Sequence, residues 1–250
     1  MATSLHPTGR WFRTVLLGAE GVALVGILLG LTGCGEFTAQ ARNAEGVRLF
    51  EQARYQEASR EFQEATYDDP CSADGYYNLA ATFHRMGRLE HRQADIVQAE
   101  SYYNLSLDRN PDHTECYRGL AVLLAEQGRN DEAFRLIEGW GQRQPGSADA
   151  KIELARLNEE FGNRQKAKEY LIEALAIQPD NARALTALGK IREEAGETCQ
   201  ALADYQRSLD NDNRQPQVAA RVSALQTSGA PASAGGTGTR VVDRDPAALR

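Results

Sequence analysis

The chain has 250 residues, of which 28 are Lys or Arg and 35 are Asp or Glu, so its formal net charge is −7. Only 7% of the residues are aromatic and 25% are charged, which is typical of a soluble, helix-rich chain and excludes collagen-like and disulfide-dense proteins. A general nucleic-acid binder needs a basic surface to displace counterions, and the net negative charge disfavours that class.

The N-terminal segment has the pattern of a secretory signal. Arg10 and Arg13 supply a basic start, residues 15–31 form an apolar stretch interrupted by one glutamate, and small residues precede Cys34. The sequence Leu-Thr-Gly-Cys at this point resembles the lipobox of bacterial lipoproteins. The resemblance implies cleavage between Gly33 and Cys34, with diacylglycerol on the Cys34 sulfur and a third acyl chain, such as palmitate, on its amine.

Two interpretations of this segment remain open. In the first, residues 1–33 are removed, and residues 34–38 tether the chain to two or three acyl chains, which make a durable anchor. Gly35, directly after the lipidated cysteine, then implies sorting to the outer membrane, facing the periplasm of a bacterial envelope. In the second, the segment is an uncleaved membrane helix, although 17 residues with a glutamate inside are short and polar for a span.

Several sets of residues recur at a fixed spacing in the middle of the chain. Small residues come four positions before aromatic or aliphatic ones, and the successive spacings of the small residues are 41, 34, 34 and 34. Small side chains let antiparallel helices approach closely, glycine ends a helix in the left-handed conformation, and proline closes the following helix. The recurring small residues, prolines and turn glycines are Ala58, Ala99, Ala133, Ala167 and Ala201; Pro70, Pro111, Pro145 and Pro179; and Gly87, Gly128, Gly162 and Gly196.

These sets resemble the tetratricopeptide repeat. The resemblance implies an all-α fold, an α-solenoid of about five helix hairpins, because one hairpin cannot bury its apolar face alone. The sequence after the repeats predicts a capping helix over 216–227 and then a disordered tail over 228–250, where Gly, Ala, Ser and Thr dominate. The five predicted repeats are 39–72, 73–113, 114–147, 148–181 and 182–215.

Two departures from the repeat carry expectations of their own. A spacing of 41 instead of 34 places seven extra residues between Gly87 and Ala99. We expect either a protruding helical hairpin that docks a partner or a surface extension without a role. Trp140 stands where the other repeats have Ala or Ser, between Gly139 and Gly141. An indole at a close-approach position predicts a distorted or shortened helix.

The sequence offers little for catalysis. It has no nucleophile elbow, no phosphate-cradling glycine loop and no zinc-protease helix, so we expect a chain that is not an enzyme and binds no cofactor or small-molecule substrate. His84, His91 and Asp95 are close in sequence, but solvated polar residues at a turn explain them better than a metal site does. In an oxidising periplasm Cys71 and Cys116 are a possible disulfide, provided that their Cα atoms lie within about 7 Å.

The resemblance also implies a concave groove lined by the first helix of each repeat, which binds extended peptides or partner helices. Tyr and Arg are common binding anchors, so we expect Tyr77, Arg85 and Arg118 to form the core of a protein-binding groove. A solvated face without a dominant ligand is the alternative. The groove residues predicted from the repeat register are Phe50, Tyr77, His84, Arg85, Arg118, Val122, Ile152 and Arg156.

These observations predict a lipid-anchored periplasmic scaffold. It would hold other proteins of an envelope assembly through its groove and touch the membrane through the lipid on Cys34, with no nucleic-acid partner. The alternatives are a docking subunit of a cell-wall enzyme, a component of a pilus or secretin assembly system, or an adaptor on an uncleaved membrane helix. The pilus, secretin and cell-wall roles are analogy at the level of the fold.

Overall fold

The computed structural model describes residues 37–229, with side chains up to residue 227. The predicted signal peptide, its cleavage site at Gly33 and Cys34, and the tail from residue 230 lie outside the described residues. Every regular element in the described part of the chain is a helix, which confirms the all-α prediction. The helices are α1 (37–51), α2 (Tyr55–Asp68), α3 (Ala73–Glu90), α4 (Gln93–Arg109), α5 (Thr114–Glu126), α6 (Asn130–Arg143), α7 (Ala148–Glu160), α8 (Arg164–Ile177), α9 (Ala182–Glu194), α10 (Thr198–Asn211) and α11 (Pro216–Gly229).

The described chain divides into two compact units between Gly128 and Arg129. Unit 1 contains α1 to α5, and unit 2 contains α6 to α11. In both units odd-numbered helices are the first helices of the predicted repeats and even-numbered helices the second, while α11 is the predicted cap. At its two ends the helical part exceeds the expectation, because α1 includes the last two residues of the predicted tether and α11 ends two residues inside the predicted tail.

The recurring alanines of the second helices are fully buried. All five are 0% exposed, because each lies where neighbouring helices pack too closely to leave room for a larger side chain. Larger side chains one turn later fill the space beside them, as Phe62, Tyr103 and Leu171 do with at most 2% exposure. The alanines are Ala58, Ala99, Ala133, Ala167 and Ala201.

Three of the four turn glycines end a helix as predicted, and Gly87 in the second repeat does not. Gly128, Gly162 and Gly196 follow a first helix with φ of 74°, 78° and 79°, the left-handed conformation that favours glycine. Gly87 instead lies inside α3 and is buried. The left-handed residue after α3 is His91, with φ of 53°. The prediction that Gly87 ends its helix is therefore wrong.

The position of His91 explains where the seven extra residues go. The left-handed residue His91 comes four residues after Gly87, the position that is equivalent to Gly128 in the next repeat. Helix α4 begins at Gln93, three residues before the position 96 that lies 34 residues before the start of α6. As a result α3 has 18 residues and α4 has 17, against 13 for α5 and 14 for α6. The insertion lengthens both helices by about one turn, so each keeps its buried face.

Trp140 does not shorten its helix, contrary to the expectation from its sequence position. Helix α6 has 14 residues, the same length as α8 and α10. The indole is 1% exposed, and its Nε1 donates a hydrogen bond to Gln144 Oε1 at 3.3 Å. Unit 2 therefore has room for this ring in its core, and the ring packs there without breaking the helix.

Cys71 and Cys116 are both free in this structure, so it does not contain the disulfide that the sequence left possible. Cys71 is exposed in the loop before α3, whereas Cys116 is buried on α5 and its thiol donates to the Tyr103 carbonyl at 3.1 Å. The two side chains face different environments, because the repeat turns Cys116 toward the core. Cys199 is also free and exposed.

None of the helices within residues 37–229 combines the length and the apolar character needed to cross a bilayer.

Candidate functional site

In unit 1 the first helices lie side by side, so their predicted groove residues share one face. Asn78 on α3 donates through Nδ2 to Asn43 Oδ1 on α1 at 2.9 Å. His84 Nε2 on α3 lies 2.9 Å from Glu126 Oε2 on α5. We call this face of α1, α3 and α5 the unit 1 groove.

The α1 edge of the unit 1 groove combines apolar surface with a cation. Phe50 packs edge-on against Tyr55, with ring centroids 5.1 Å apart. Arg85 is exposed, and its Nε donates to the Tyr55 hydroxyl at 3.4 Å, which holds the guanidinium beside the ring pair. One turn before Phe50, Val47 is 38% exposed. This edge has the mixture of aromatic surface and arginine that binding sites favour.

The floor of the groove is formed by side chains that are held more firmly. Tyr77 is half-buried and lies against His113 and Tyr103, with centroid distances of 4.9 and 6.2 Å. Burial, followed by the Glu115 carboxylate, raises the pKa of Tyr77, so its hydroxyl stays protonated and able to donate. Arg118 is half-buried on α5, and Val122 is half-buried one turn later.

His84 is the most deeply buried of the predicted groove residues in unit 1. Its residue is 7% exposed, and both ring nitrogens have partners: Nδ1 lies 3.4 Å from the Tyr103 hydroxyl and Nε2 contacts Glu126. Arg88 pairs with the other oxygen of Glu126 at 3.2 Å. His84 therefore fastens α3 to α4 and α5, and it lines a cavity of about 360 Å³ together with Arg88 and Glu126.

In unit 2 the two predicted residues lie beside a cavity of about 310 Å³ on α7 and α9, here called the unit 2 pocket. Ile152 is 5% exposed and belongs to the core, where it contributes to the apolar floor of the pocket. Arg156 is half-buried on its rim. The floor is formed by Ile152, Ala155, Leu171 and Ala187, and the charged rim by Arg156, Glu159, Arg183 and Lys190.

A buried carboxylate organises this rim. Glu153 is 0% exposed, and it accepts from Arg156 Nε at 3.0 Å and from Arg183 Nη2 at 2.7 Å. Arg183 also donates through Nη1 to Asp149 at 3.0 Å. The buried charge is stable because two guanidinium groups compensate it. Lys190 pairs with Glu159 between the same two helices.

Sequence reasoning missed Glu153, Arg183 and Gln215 as parts of this site. Arg183 lies at the second residue of α9, and Gln215 lies in the turn before the cap, outside the projected face. Gln215 accepts through Oε1 from the Thr186 hydroxyl at 3.0 Å and donates to the Asp212 carbonyl at 2.9 Å. A spacing of 30 residues between Glu153 and Arg183, close to one repeat, is the signal that could have paired them.

The metal alternative gains no support from the geometry. Asp95 pairs with Arg92 at 2.6 Å, and His84 is bound to Tyr103 and Glu126. Among the residues that the structure describes, no three His, Cys, Asp or Glu side chains converge on a common point.

Comparison with known families identifies the repeats. The tetratricopeptide repeat model matches residues 91–157 and 131–191. A curated relative, RNA polymerase-associated protein CTR9 of Caenorhabditis elegans, is 27% identical over 152 residues, covering 55% of this chain and 13% of the relative. Cellulose synthase operon protein C of Xanthomonas axonopodis pv. citri is 27% identical over 173 residues, covering 52% of this chain and 11% of that protein. This chain spans a small part of either relative.

Solved structures share the fold. A thermophilic TPR protein of Thermus thermophilus aligns with a TM-score of 0.57 and 22% identity, covering 76% of this chain and 99% of that one. PilF of Pseudomonas aeruginosa aligns with a TM-score of 0.53 and 16% identity, covering 78% and 89%. The family match shows tetratricopeptide repeats within residues 91–191, and the two structures show that the described helices share that fold.

Proposed function

We propose that this tetratricopeptide-repeat chain is a non-catalytic scaffold that binds an extended segment of a partner protein in the unit 1 groove. The repeats place helices rather than reactive groups around the groove, and its charged and aromatic side chains are of the kind that anchor protein ligands.

The observation that carries this proposal is the edge formed by Val47, Phe50, Tyr55 and Arg85. An exposed valine beside two rings offers apolar surface for a partner side chain. The Tyr55 hydroxyl holds Arg85 close to that surface, so the guanidinium loses little freedom on binding a carboxylate or a carbonyl.

The N-terminal sequence adds a location to this proposal. With diacylglycerol and a further acyl chain on Cys34, the scaffold would be held at a bacterial membrane, and Gly35 favours the outer membrane with the repeats in the periplasm. Two or three acyl chains bind a bilayer durably, whereas one does not. The proposed scaffold thus keeps its partner close to the envelope surface.

Screening the mature chain against a displayed library of random peptides tests the binding proposal. We expect selected peptides to lose at least tenfold in affinity when Arg85→Glu and Val47→Asp are combined. Arg60→Glu, an exposed change on α2, is the matched control and leaves affinity within twofold. Equal binding by the double variant and the control would place the ligand elsewhere.

Labelling with a palmitate analogue in a bacterial host tests the anchor separately. The wild-type chain should incorporate label and sediment with membranes, and its processing should stop with globomycin. Cys34→Ser should lose both the label and the sedimentation. A Cys34→Ser chain that stays with the membranes would instead support the uncleaved helix.

A further inference from the structure

The unit 2 pocket has the chemistry of a site for an aliphatic side chain next to an acidic one. Its floor is apolar, whereas three cations and one carboxylate stand on its rim. A volume of about 310 Å³ is at the lower end of ligand pockets, which suits one or two side chains rather than a folded element.

One donor at this pocket is unsatisfied. Arg156 gives its Nε to Glu153 and its Nη1 to Glu160, at 3.0 and 3.1 Å, but its Nη2 is buried and makes no hydrogen bond with any residue that the structure describes. A buried donor without an acceptor costs free energy. A carboxylate that enters from the pocket would supply the missing acceptor once the Arg156 guanidinium turns Nη2 toward it.

The chain itself contains a segment with the matching pattern. After the Gly- and Ala-rich stretch 230–239, residues 240–245 read Arg-Val-Val-Asp-Arg-Asp. Val241 and Val242 are an aliphatic pair, and Asp243 follows directly. An apolar pair with a carboxylate on one side and a guanidinium on the other complements an apolar floor with Arg156 and Glu159 on its rim.

The length of the connecting chain matches the distance that it must cover. Gln215, directly before α11, lines the pocket, and α11 has 14 residues, which corresponds to about 21 Å. A Gly-rich linker of the 12 residue steps from Gly229 to Val241 has an r.m.s. span of about 20 Å. The effective concentration of a tethered segment is greatest when the span of its linker equals the distance between the two sites. A linker of this length therefore favours binding of residues 240–245 at the pocket end of α11.

We propose that residues 240–245 bind in the unit 2 pocket, with Val241 and Val242 on the apolar floor and the Asp243 carboxylate accepting from Arg156 Nη2. The tail then occupies this pocket until a partner segment of similar chemistry, aliphatic followed by acidic, displaces it. This intramolecular ligand lies in unit 2 and does not depend on peptide binding in the unit 1 groove.

Photo-crosslinking in the full chain tests this proposal. Benzoylphenylalanine at Val242 should crosslink within one chain to peptides of α7 and α9 that line the pocket, identified by mass spectrometry. The same group at Ala234, in the spacer, is the matched control and should crosslink at least fivefold less to those peptides. Crosslinks from Val242 that map outside the pocket, or that form only between chains, would overturn the proposal.

Two further variants separate specific docking from loose proximity. With the probe kept at Val242, Val241→Asp changes a residue that follows the described helices in the chain, so the packing of α6 to α11 should be unaffected. It should lower the pocket crosslink at least fivefold. Arg156→Gln should lower it as well, while Arg135→Gln, on α6, should not. Undiminished crosslinking by Val241→Asp would show proximity without docking and would end the proposal. Failure of the peptide screen in unit 1 would leave these results unchanged.

Discussion

Gly87 and Ile96 face each other across the α3–α4 hairpin with no room for a β-carbon between them. A Cβ at Gly87 would lie 2.6 Å from Ile96 Cδ1, 2.8 Å from its Cγ1 and 3.2 Å from the Arg92 carbonyl oxygen. We therefore expect Gly87→Ala to lower the free energy of unfolding by about 1–3 kcal/mol, because overpacking outweighs the gain in helix propensity. Urea denaturation measures this change.

Gly139, a glycine inside α6, provides a control for which alanine should not lower the stability. At Gly139 the nearest neighbour of an added Cβ would be Arg143 Nη1 at 3.5 Å, an ordinary contact with a flexible end. Gly139→Ala should therefore be neutral or raise stability by up to about 1 kcal/mol. Combining Gly87→Ala with Ile96→Ala should recover part of the loss. If Gly87→Ala were as harmless as Gly139→Ala, the close packing of the hairpin would be wrong.

Deleting residues 88–94 should restore a standard repeat. The deletion joins Gly87 to Asp95, so Gly87 takes the place that Gly128 has in the next repeat, two residues before the second helix. Asp95 then becomes the N-cap of α4, a position that favours aspartate. We expect the shortened chain to unfold cooperatively within about 2 kcal/mol of the wild type, because the deletion removes about one turn from each helix and leaves their buried faces in register.

A deletion of six residues, 88–93, is the matched control for this prediction. It joins Gly87 to Ala94 and shifts α4 by one residue, about 100° around its axis, so the buried alanine Ala99 leaves the interface. This chain should lose several kcal/mol or fail to fold. Similar stability of the two deletions would mean that the spacing of 34 does not fix the packing.

The residues that the sequence predicted best are those with one physical role in every repeat. A buried alanine at a helix crossing has no alternative use, and Ala58 and Ala201 are fully buried as their spacing indicates. Gly87 has the right spacing but two possible roles, since glycine serves both a left-handed turn and a close approach. The extra helical turn moved the left-handed residue to His91, and only the three-dimensional contacts distinguish the two roles.

The exposure of the groove residues was less predictable, because the position of a residue in the repeat does not determine how deeply its side chain is buried. Arg85 is exposed as expected, whereas His84, its neighbour, is buried between Tyr103 and Glu126. Trp140 shows the same limit. Its size predicted a distorted helix, but the space available to an indole depends on neighbours that are distant in sequence.

The thiols offer a prediction that depends on burial and pH. Burial raises the pKa of Cys116 to about 12, so at pH 8 it stays a protonated, unreactive thiol. We expect iodoacetamide to modify Cys71 and Cys199 in the folded chain, and Cys116 only after unfolding, as peptide mass spectrometry would show. A Cys71–Cys116 crosslinked peptide from non-reduced protein would contradict the structure.

The same shift makes stability depend on alkaline pH. The unfolded thiol releases its proton near the ordinary cysteine pKa of 9.0, while the folded one holds it to about 12. The contribution of Cys116 is therefore complete below about pH 9 and is lost as pH rises toward 12. Unfolding at pH 8 and pH 10.5 should show a larger loss for the wild type than for Cys116→Ala. An equal loss would mean that the folded thiol titrates like an exposed one.

Glu153 and Glu160 allow the buried charge of unit 2 to be measured against an exposed one. Both bind Arg156, at 3.0 and 3.1 Å, but Glu153 is fully buried and also accepts from Arg183, whereas the Glu160 side chain is 48% exposed. Glu153→Ala leaves two guanidinium groups without their shared carboxylate, but both are partly exposed, so we expect a loss of about 1–3 kcal/mol in the free energy of unfolding. Glu160→Ala should cost less than about 1 kcal/mol, since solvent screens an exposed pair. Glu153→Gln keeps the shape and removes only the charge, and a cost close to that of Glu160→Ala would show that packing rather than ion pairing makes Glu153 important.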